Sequence, residues 1–359
     1  MAEQMLREIG SVPTIADGNP STLMAIEKSA HREGVVLEAF YLEVVSSIGR
    51  QFHKDVTSDP DRAAQYVKNS EIERAGAKGK AFGALSFTEF MMRAALQGDY
   101  SPTRWNVVQE LPLMQASPRL LSWLGIVDIR LLAPDVHPKE SGVIAVSKHP
   151  GAQISVWNQD AFDELTRRKI SAALHKPYLL DGFRQETPQF YDEGMPIVAK
   201  VSGSGAPEHW ARQLREALFD SHEPFAIHSP GYNHKNGHTT RTTSFQKRMH
   251  NFYRDLGGNT RLLIGYPSEL VSVAAEMQAR DVAMTMITLP PRGAHELKNL
   301  EFAWRHGIVI GELAVEGSRQ IPTLADIPLV KPRDIAAVLK DVPNPAIEPG
   351  LLGEKSLWE

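Results

Sequence analysis

The 359 residues carry 39 Lys and Arg against 43 Asp and Glu, a net charge of −4, so the basic excess of a dedicated nucleic-acid binder is missing. Cysteine is absent, which excludes disulfides, thiolate metal centres, iron–sulfur clusters and a Cys nucleophile. Hydrophobic residues at 42% and charged residues at 23% describe an ordinary globular protein.

Single cores stop growing near ~250–300 residues, so two domains are expected. Residues 1–13 are too mixed in charge for a signal peptide, and the apolar runs fall far short of the ~20 residues that span a bilayer. A soluble cytoplasmic protein is expected, with peripheral membrane contact left open. Nothing in the residues fixes an oligomeric state.

In the first half, residues 13–16 read as a strand, 20–32 as a helix and 35–42 as a second strand. Residues 81–97 read as helical. Strands are expected at 107–108 and 126–132, separated by a helix at 117–124. Another strand covers 152–157, and Asn158 caps the helix after it. Residues 175–186 (HKPYLLDGFRQE) mix Pro, Gly and charge and are read as the hinge, giving domains 1–178 and 179–359.

The second half alternates more cleanly. A buried strand at 195–201 (MPIVAKV) meets the Ser-Gly-Ser-Gly turn, and Pro207 opens a helix with Trp210, Leu214 and Leu218 at four-residue spacing. A strand at 225–228 ends in a polar loop, 229–243. Strand 261–265, helix 268–280, strand 282–289, helix 294–306, strand 308–310 and helix 332–340 complete the order. This alternation predicts an α/β protein with doubly wound parallel sheets, whose ligands bind at the carboxyl edges of the strands.

Three features could carry chemistry. Ser202, Gly203, Ser204 and Gly205 would offer backbone N–H groups and a helix N-terminus to a phosphate, although a tight turn also needs glycine. Lys200 adds positive charge there, or is a solvated edge lysine. On the helix opened by Ser268, Glu269, Ser272 and Glu276 share one face, with Leu270, Val273, Ala274 and Met277 turned to the core. Glu269 has a dipole explanation. Glu276 is either a solvated acid or a bidentate acceptor for ribose hydroxyls. Residues 289–299 (LPPRGAHELKN) then supply Arg292, His295, Glu296 and Asn299 at a strand-to-helix loop, or simply cap a helix.

Taken together over residues 195–314, these pieces resemble GT-B glycosyltransferases. The likeness is to the family 28-like branch containing the lipid-linked N-acetylglucosaminyltransferase of peptidoglycan synthesis. Ser202 to Gly205 match its glycine-rich turn, Ser268 its helix start and Glu276 its ribose-binding glutamate. Pro290, His295, Glu296 and Asn299 stand where that family has a proline, a Gln-Gln pair and an Asn. The resemblance implies two Rossmann-like domains facing a cleft, the first binding the acceptor and the second a nucleotide-sugar donor. Lys200, Ser202, Gly203, Ser204, Gly205, Ser268, Glu269, Glu276, Arg292, His295, Glu296 and Asn299 become the expected donor-binding residues. The exchange of amides for His295 and Glu296 leaves the sugar open.

The expected activity is transfer of a sugar, from a uridine-linked diphosphate donor, to an unidentified hydroxyl acceptor. No metal or further cofactor is expected, and no nucleic acid. A retaining branch carries two glutamates eight residues apart; Glu269 and Glu276 are seven apart, which favours inversion. Inversion needs a base for the acceptor hydroxyl. Asp17, in the turn Asp17-Gly18-Asn19-Pro20, could serve or could only shape the turn; His137 and His149 are further candidates. His228, His234 and His238 invite a metal reading, but Asn236 and Gly237 interrupt the helix that would align them, so cations here are expected to face the diphosphate. Two alternatives remain: a nucleotide-sugar 2-epimerase, whose acidic-Ser-Gly-Gly element is not matched by Tyr266-Pro267-Ser268-Glu269, and a non-catalytic nucleotide-sugar binder.

Overall fold

The computed structural model describes residues 12–17, 25–26, 29–35, 37–42, 80–82, 104–108, 128–180, 194–201, 208–229, 232–236, 238–241, 251–318, 320–342 and 347–358. Contacts divide the chain into two compact units. One holds Met1–Pro134, Pro138–Gly182 and Leu352–Glu359; the other holds Asp135–His137 and Phe183–Leu351. The last eight residues, expected with the second half, therefore belong to the first unit. Both units are α/β, built on sheets of mainly parallel strands.

The first unit contains β1 (Val12–Asp17), β2 (Leu37–Leu42), β3 (Lys80–Phe82), β4 (Arg104–Val108), β5 (Asp128–Leu132), α1 (Glu140–Ser147), β6 (Ala152–Val156), α2 (Gln159–Arg167) and β7 (Ala172–Leu174). All its described strands are parallel, in the order β3-β2-β1-β4-β5-β6-β7. The order reverses between β1 and β4, as in a Rossmann-like sheet, and right-handed crossovers on either side of such a reversal fall on opposite faces. Ile129, Leu131, Ile154 and Val156 are buried in this sheet. Asn158 caps α2 as expected, its side chain accepting the Ala161 N–H at 2.9 Å. Residues 80–82 form a strand rather than the start of a helix; 83–97 lie outside the described residues, as does the helix expected at 117–124. Helix α1 was not foreseen, because the prolines before it read as loop. The first half of the expected hinge is core: His175, Tyr178, Leu179 and Leu180 are buried.

The C-terminal residues strap this unit. Gly353 donates its N–H to Trp157 O at 3.0 Å, and Lys176 donates to Lys355 O at 2.8 Å. The Arg130 guanidinium donates to Leu357 O, and Trp358 Nε1 donates to Ser29 Oγ at 3.1 Å.

The second unit contains β8 (Ile197–Lys200), α3 (Glu208–Ser221), β9 (Phe225–Ser229), β10 (Tyr232–Lys235), β11 (His238–Arg241), β12 (Leu262–Gly265), α4 (Glu269–Gln278), β13 (Thr285–Thr288), α5 (Ala294–Arg305), β14 (Val309–Leu313), β15 (Leu329–Val330) and α6 (Ile335–Lys340). A 3-10 turn, Pro332–Asp334, precedes α6. The sheet order is β11-β10-β9-β8-β12-β13-β14-β15, parallel except for β10 and β11. Trp210, Leu214 and Leu218 of α3 are buried among Ile197, Phe225, Ile264 and Leu313, where their four-residue spacing puts them.

Residues 232–241 correct the expected polar loop. They form a hairpin that extends the sheet, with Lys235 paired to His238. Asn236 takes φ +47°, in the left-handed region that Asn tolerates, and Asn-Gly is the strongest two-residue hairpin signal. Among the described residues no helix is long and apolar enough to cross a membrane.

Candidate functional site

Register aligns the carboxyl ends of three neighbouring strands: Lys200 of β8 lies beside His228 of β9 and Gly265 of β12. Strand order reverses between β8 and β12, the position at which open α/β sheets bind ligands. A Cβ on Gly265 would lie 2.2 Å from Leu270 Cδ1 and 3.1 Å from Lys200 O, so a larger residue here would displace the Leu270 side chain and crowd the end of β8.

Lys200 and Glu269 bridge the reversal. Lys200 Nζ donates to Glu269 Oε1 at 2.8 Å, with side-chain exposures of 14% and 22%. Burial alone would raise the Glu269 carboxyl. The Lys200 charge and hydrogen bond, helped by Ser268 and the helix-start N–H, overcome this and hold it at about 2. Ser268 itself occupies the N-cap position of α4.

Helix α4 is not the two-faced helix expected from sequence, since every residue from Leu270 to Gln278 is buried. Glu276 is 2% exposed and forms an ion pair with Arg280, one turn on. The solvated-acid reading of Glu276 therefore does not hold. Tyr253 lies nearby: burial first, then the charges of Glu269 and Glu276, raise its phenol.

The loop after β13 is organised around Glu296, which is 1% exposed. Its Oε2 accepts the Arg292 backbone N–H at 2.6 Å and its Oε1 accepts Arg292 Nη2 at 2.7 Å. As the third residue of α5, Glu296 reaches back over the helix start as capping-box acids do. The Arg292 guanidinium lies 3.9 Å from the centroid of the Tyr266 ring. Asn299, fully buried, donates Nδ2 to Pro267 O at 2.9 Å and accepts the His137 N–H on Oδ1 at 3.2 Å. His295 is half-buried in the first turn of α5.

At the end of β9, His228 Nε2 stands 3.3 Å from Asp255 Oδ2, both side chains being buried. Lys235 Nζ and Arg254 Nη2 each donate to Asp255 Oδ1 at 3.2 Å. Burial lowers His228 despite the opposing pull of Asp255, whereas His228 and the two cations lower Asp255 against burial. Phe252 touches both neighbours, 5.5 Å from the His228 ring and 5.4 Å from Lys200 Nζ.

The three histidines do not converge: His234 Nδ1 meets Thr239 Oγ1 at 2.8 Å, and His238 is exposed. Among the described residues no group of three His, Cys, Asp or Glu is placed to hold a metal ion. His137 packs its ring edge-on to Phe302, and His149 is buried beyond α1 in the first unit. Asp17 ends β1, at the reversal of the first sheet, with its side chain outside what is described. Ser202, Gly203, Ser204 and Gly205 lie outside the described residues.

Sequence reasoning missed Tyr253 and Asp255, in a stretch (NFYRDLGG) without a motif. Glu276 and Arg280 were detectable as an i, i+4 pair. No protein-family model matches the chain. Comparison with curated proteins likewise finds no match.

Proposed function

We propose that the protein is a metal-independent GT-B glycosyltransferase that binds a nucleotide-diphosphate sugar at the strand reversal of its second unit and transfers the sugar to a hydroxyl acceptor. The observation that carries this reading is the Lys200–Glu269 pair at the carboxyl edge of β8 and β12. Lys200 supplies a partly buried cation for a diphosphate, and Glu269 fixes where that cation stands. Arg292, spread over Tyr266, adds a second cation at the same edge. Glu276, buried on α4, is the carboxylate assigned to the ribose hydroxyls. Preorganised cations of this kind stabilise the diphosphate as the anomeric bond breaks.

A second reading, binding without catalysis, has one observation in its favour. The hydrogen-bonding groups of Glu296 and Asn299, expected on the sugar, are spent on Arg292, Pro267 and His137.

Thermal melting against a panel of nucleotide sugars tests the common part, because a ligand that binds only the native state raises the melting temperature. Uridine diphosphate and its sugars should shift the wild type. Glu276→Ala should bind them at least tenfold more weakly. No shift with any nucleotide sugar would overturn both readings. A radiolabelled donor then separates transfer to acceptor, 2-epimerised donor, and binding without turnover.

A further inference from the structure

We propose that His228 is the proton-accepting residue of the second unit's site, with Asp255 as its positioning residue, and that its partner is the acceptor hydroxyl group that attacks the bound nucleotide sugar. This rests on the nucleotide-sugar reading and adds to it a base within the second unit, distinct from Asp17.

The geometry supplies the argument. His228 is the register neighbour of Lys200, so it stands at the carboxyl edge one strand from the reversal. Phe252 packs against both side chains and links them into one cluster. His228 Nε2 faces Asp255 Oδ2 at 3.3 Å, and both atoms are buried without an aligned hydrogen bond. A charge-assisted contact of this kind closes to ~2.7–2.9 Å when aligned, and catalytic hydrogen bonds often tighten only when substrate is bound. Facing a carboxylate, Nε2 carries the imidazole proton, which leaves Nδ1 as the acceptor.

The charges around the ring agree. Asp255 faces it from helical residues 251–255, Lys200 from β8, Arg254 from the same helical residues, and His234 from β10, with Lys235 behind on Asp255. Burial lowers the imidazole, with Lys200 and Arg254 adding to this and Asp255 opposing it.

In the transfer step the acceptor's hydroxyl oxygen bonds to the donor's anomeric carbon while its proton passes to His228 Nδ1. The bond from that carbon to the diphosphate oxygen breaks, and its electron pair leaves on the diphosphate. Charge and atoms balance without a further reactant.

The test uses the full chain labelled with 15N on histidine. Long-range proton–nitrogen correlation should report the Nε2–H tautomer for His228, and a bound uridine diphosphate sugar should shift Nδ1. His228→Asn should lower kcat for hydrolysis of that donor, with water as the attacking hydroxyl, by ~10²–10⁴-fold with KM little changed. Asp255→Asn removes the carboxylate that favours the imidazolium, so the acid limb of its pH–rate profile should move to lower pH. A merely structural Asp255 would leave that limb in place and overturn the assignment. An Nδ1–H tautomer, or sugar binding with Nδ1 unmoved, overturns the inference while the nucleotide-sugar reading stands. If no nucleotide sugar binds the wild type, both fall.

Discussion

The ammonium of Lys200 and the carboxylate of Glu269 meet at 2.8 Å between neighbouring strand ends that belong to opposite windings of the second sheet. Because Lys200 closes β8 and Glu269 opens α4, this ion pair fastens the strand-to-helix junction of one βα unit to that of another.

That pairing predicts a pH signature. The Glu269 carboxyl drops from an ordinary 4.5 to about 2 in the folded protein. Its stabilisation is therefore complete above pH 4.5 and is lost as pH falls toward 2. Glu269→Gln should cost about 1–3 kcal/mol at neutral pH. Urea unfolding at a series of pH values should show the gap from wild type closing between those limits; a gap that stays constant would contradict the assignment.

Glu296 makes a separate prediction. With one oxygen on the Arg292 backbone N–H and the other on its guanidinium, Glu296→Ala should lower stability by about 1–3 kcal/mol. Glu296→Gln, which keeps an acceptor, should lose less. Wild-type melting in the Ala variant would return Glu296 to a purely ligand-facing role.

Asn299 joins α5 to Pro267 and His137 with no exposed surface of its own. Asn299→Ala orphans a carbonyl and an N–H, each worth about 1–3 kcal/mol. Amide hydrogen exchange at His137 should accelerate in this variant. Asn299→Asp should not rescue it, since a carboxylate would face the Pro267 carbonyl. Unchanged exchange at His137 would show that the contact carries no weight.

In the first unit, Gly353 leaves no room for a side chain: a Cβ would lie 2.4 Å from His175 O and 2.9 Å from His175 N. Gly353→Ala should lift the C-terminal strap and cost about 1–3 kcal/mol, the penalty of overpacking. Trp358 fluorescence should report the release at a lower denaturant concentration than in wild type. If the Ala variant unfolds at the wild-type midpoint, the strap is dispensable.

Much of the second unit was legible because its elements are local. The four-residue spacing of Trp210, Leu214 and Leu218 specifies α3, and the apolar runs specify β8, β9, β12 and β13 within a few residues. The hairpin at 232–241 was missed because its polar, histidine-rich strands hide an alternation that Asn236-Gly237 should have announced. Helix α4 was misjudged differently. Its glutamates and Ser272 recur on one face, yet Ser272 and Glu276 on that face are buried, and the half-buried Glu269 and buried Glu276 are held there by Lys200 and Arg280.

The sequence by itself determined the α/β alternation, the capping role of Asn158 and the cluster of polar residues after β13. Each of these depends on residues within a turn or two of one another. Only the tertiary structure decided which polar groups meet: Lys200 with Glu269 across 69 positions, and Asn299 with both Pro267 and His137. The reason is that a buried carboxylate or amide must find a partner wherever the packed sheet supplies one. Spacing along the chain says nothing about which strand ends will lie side by side.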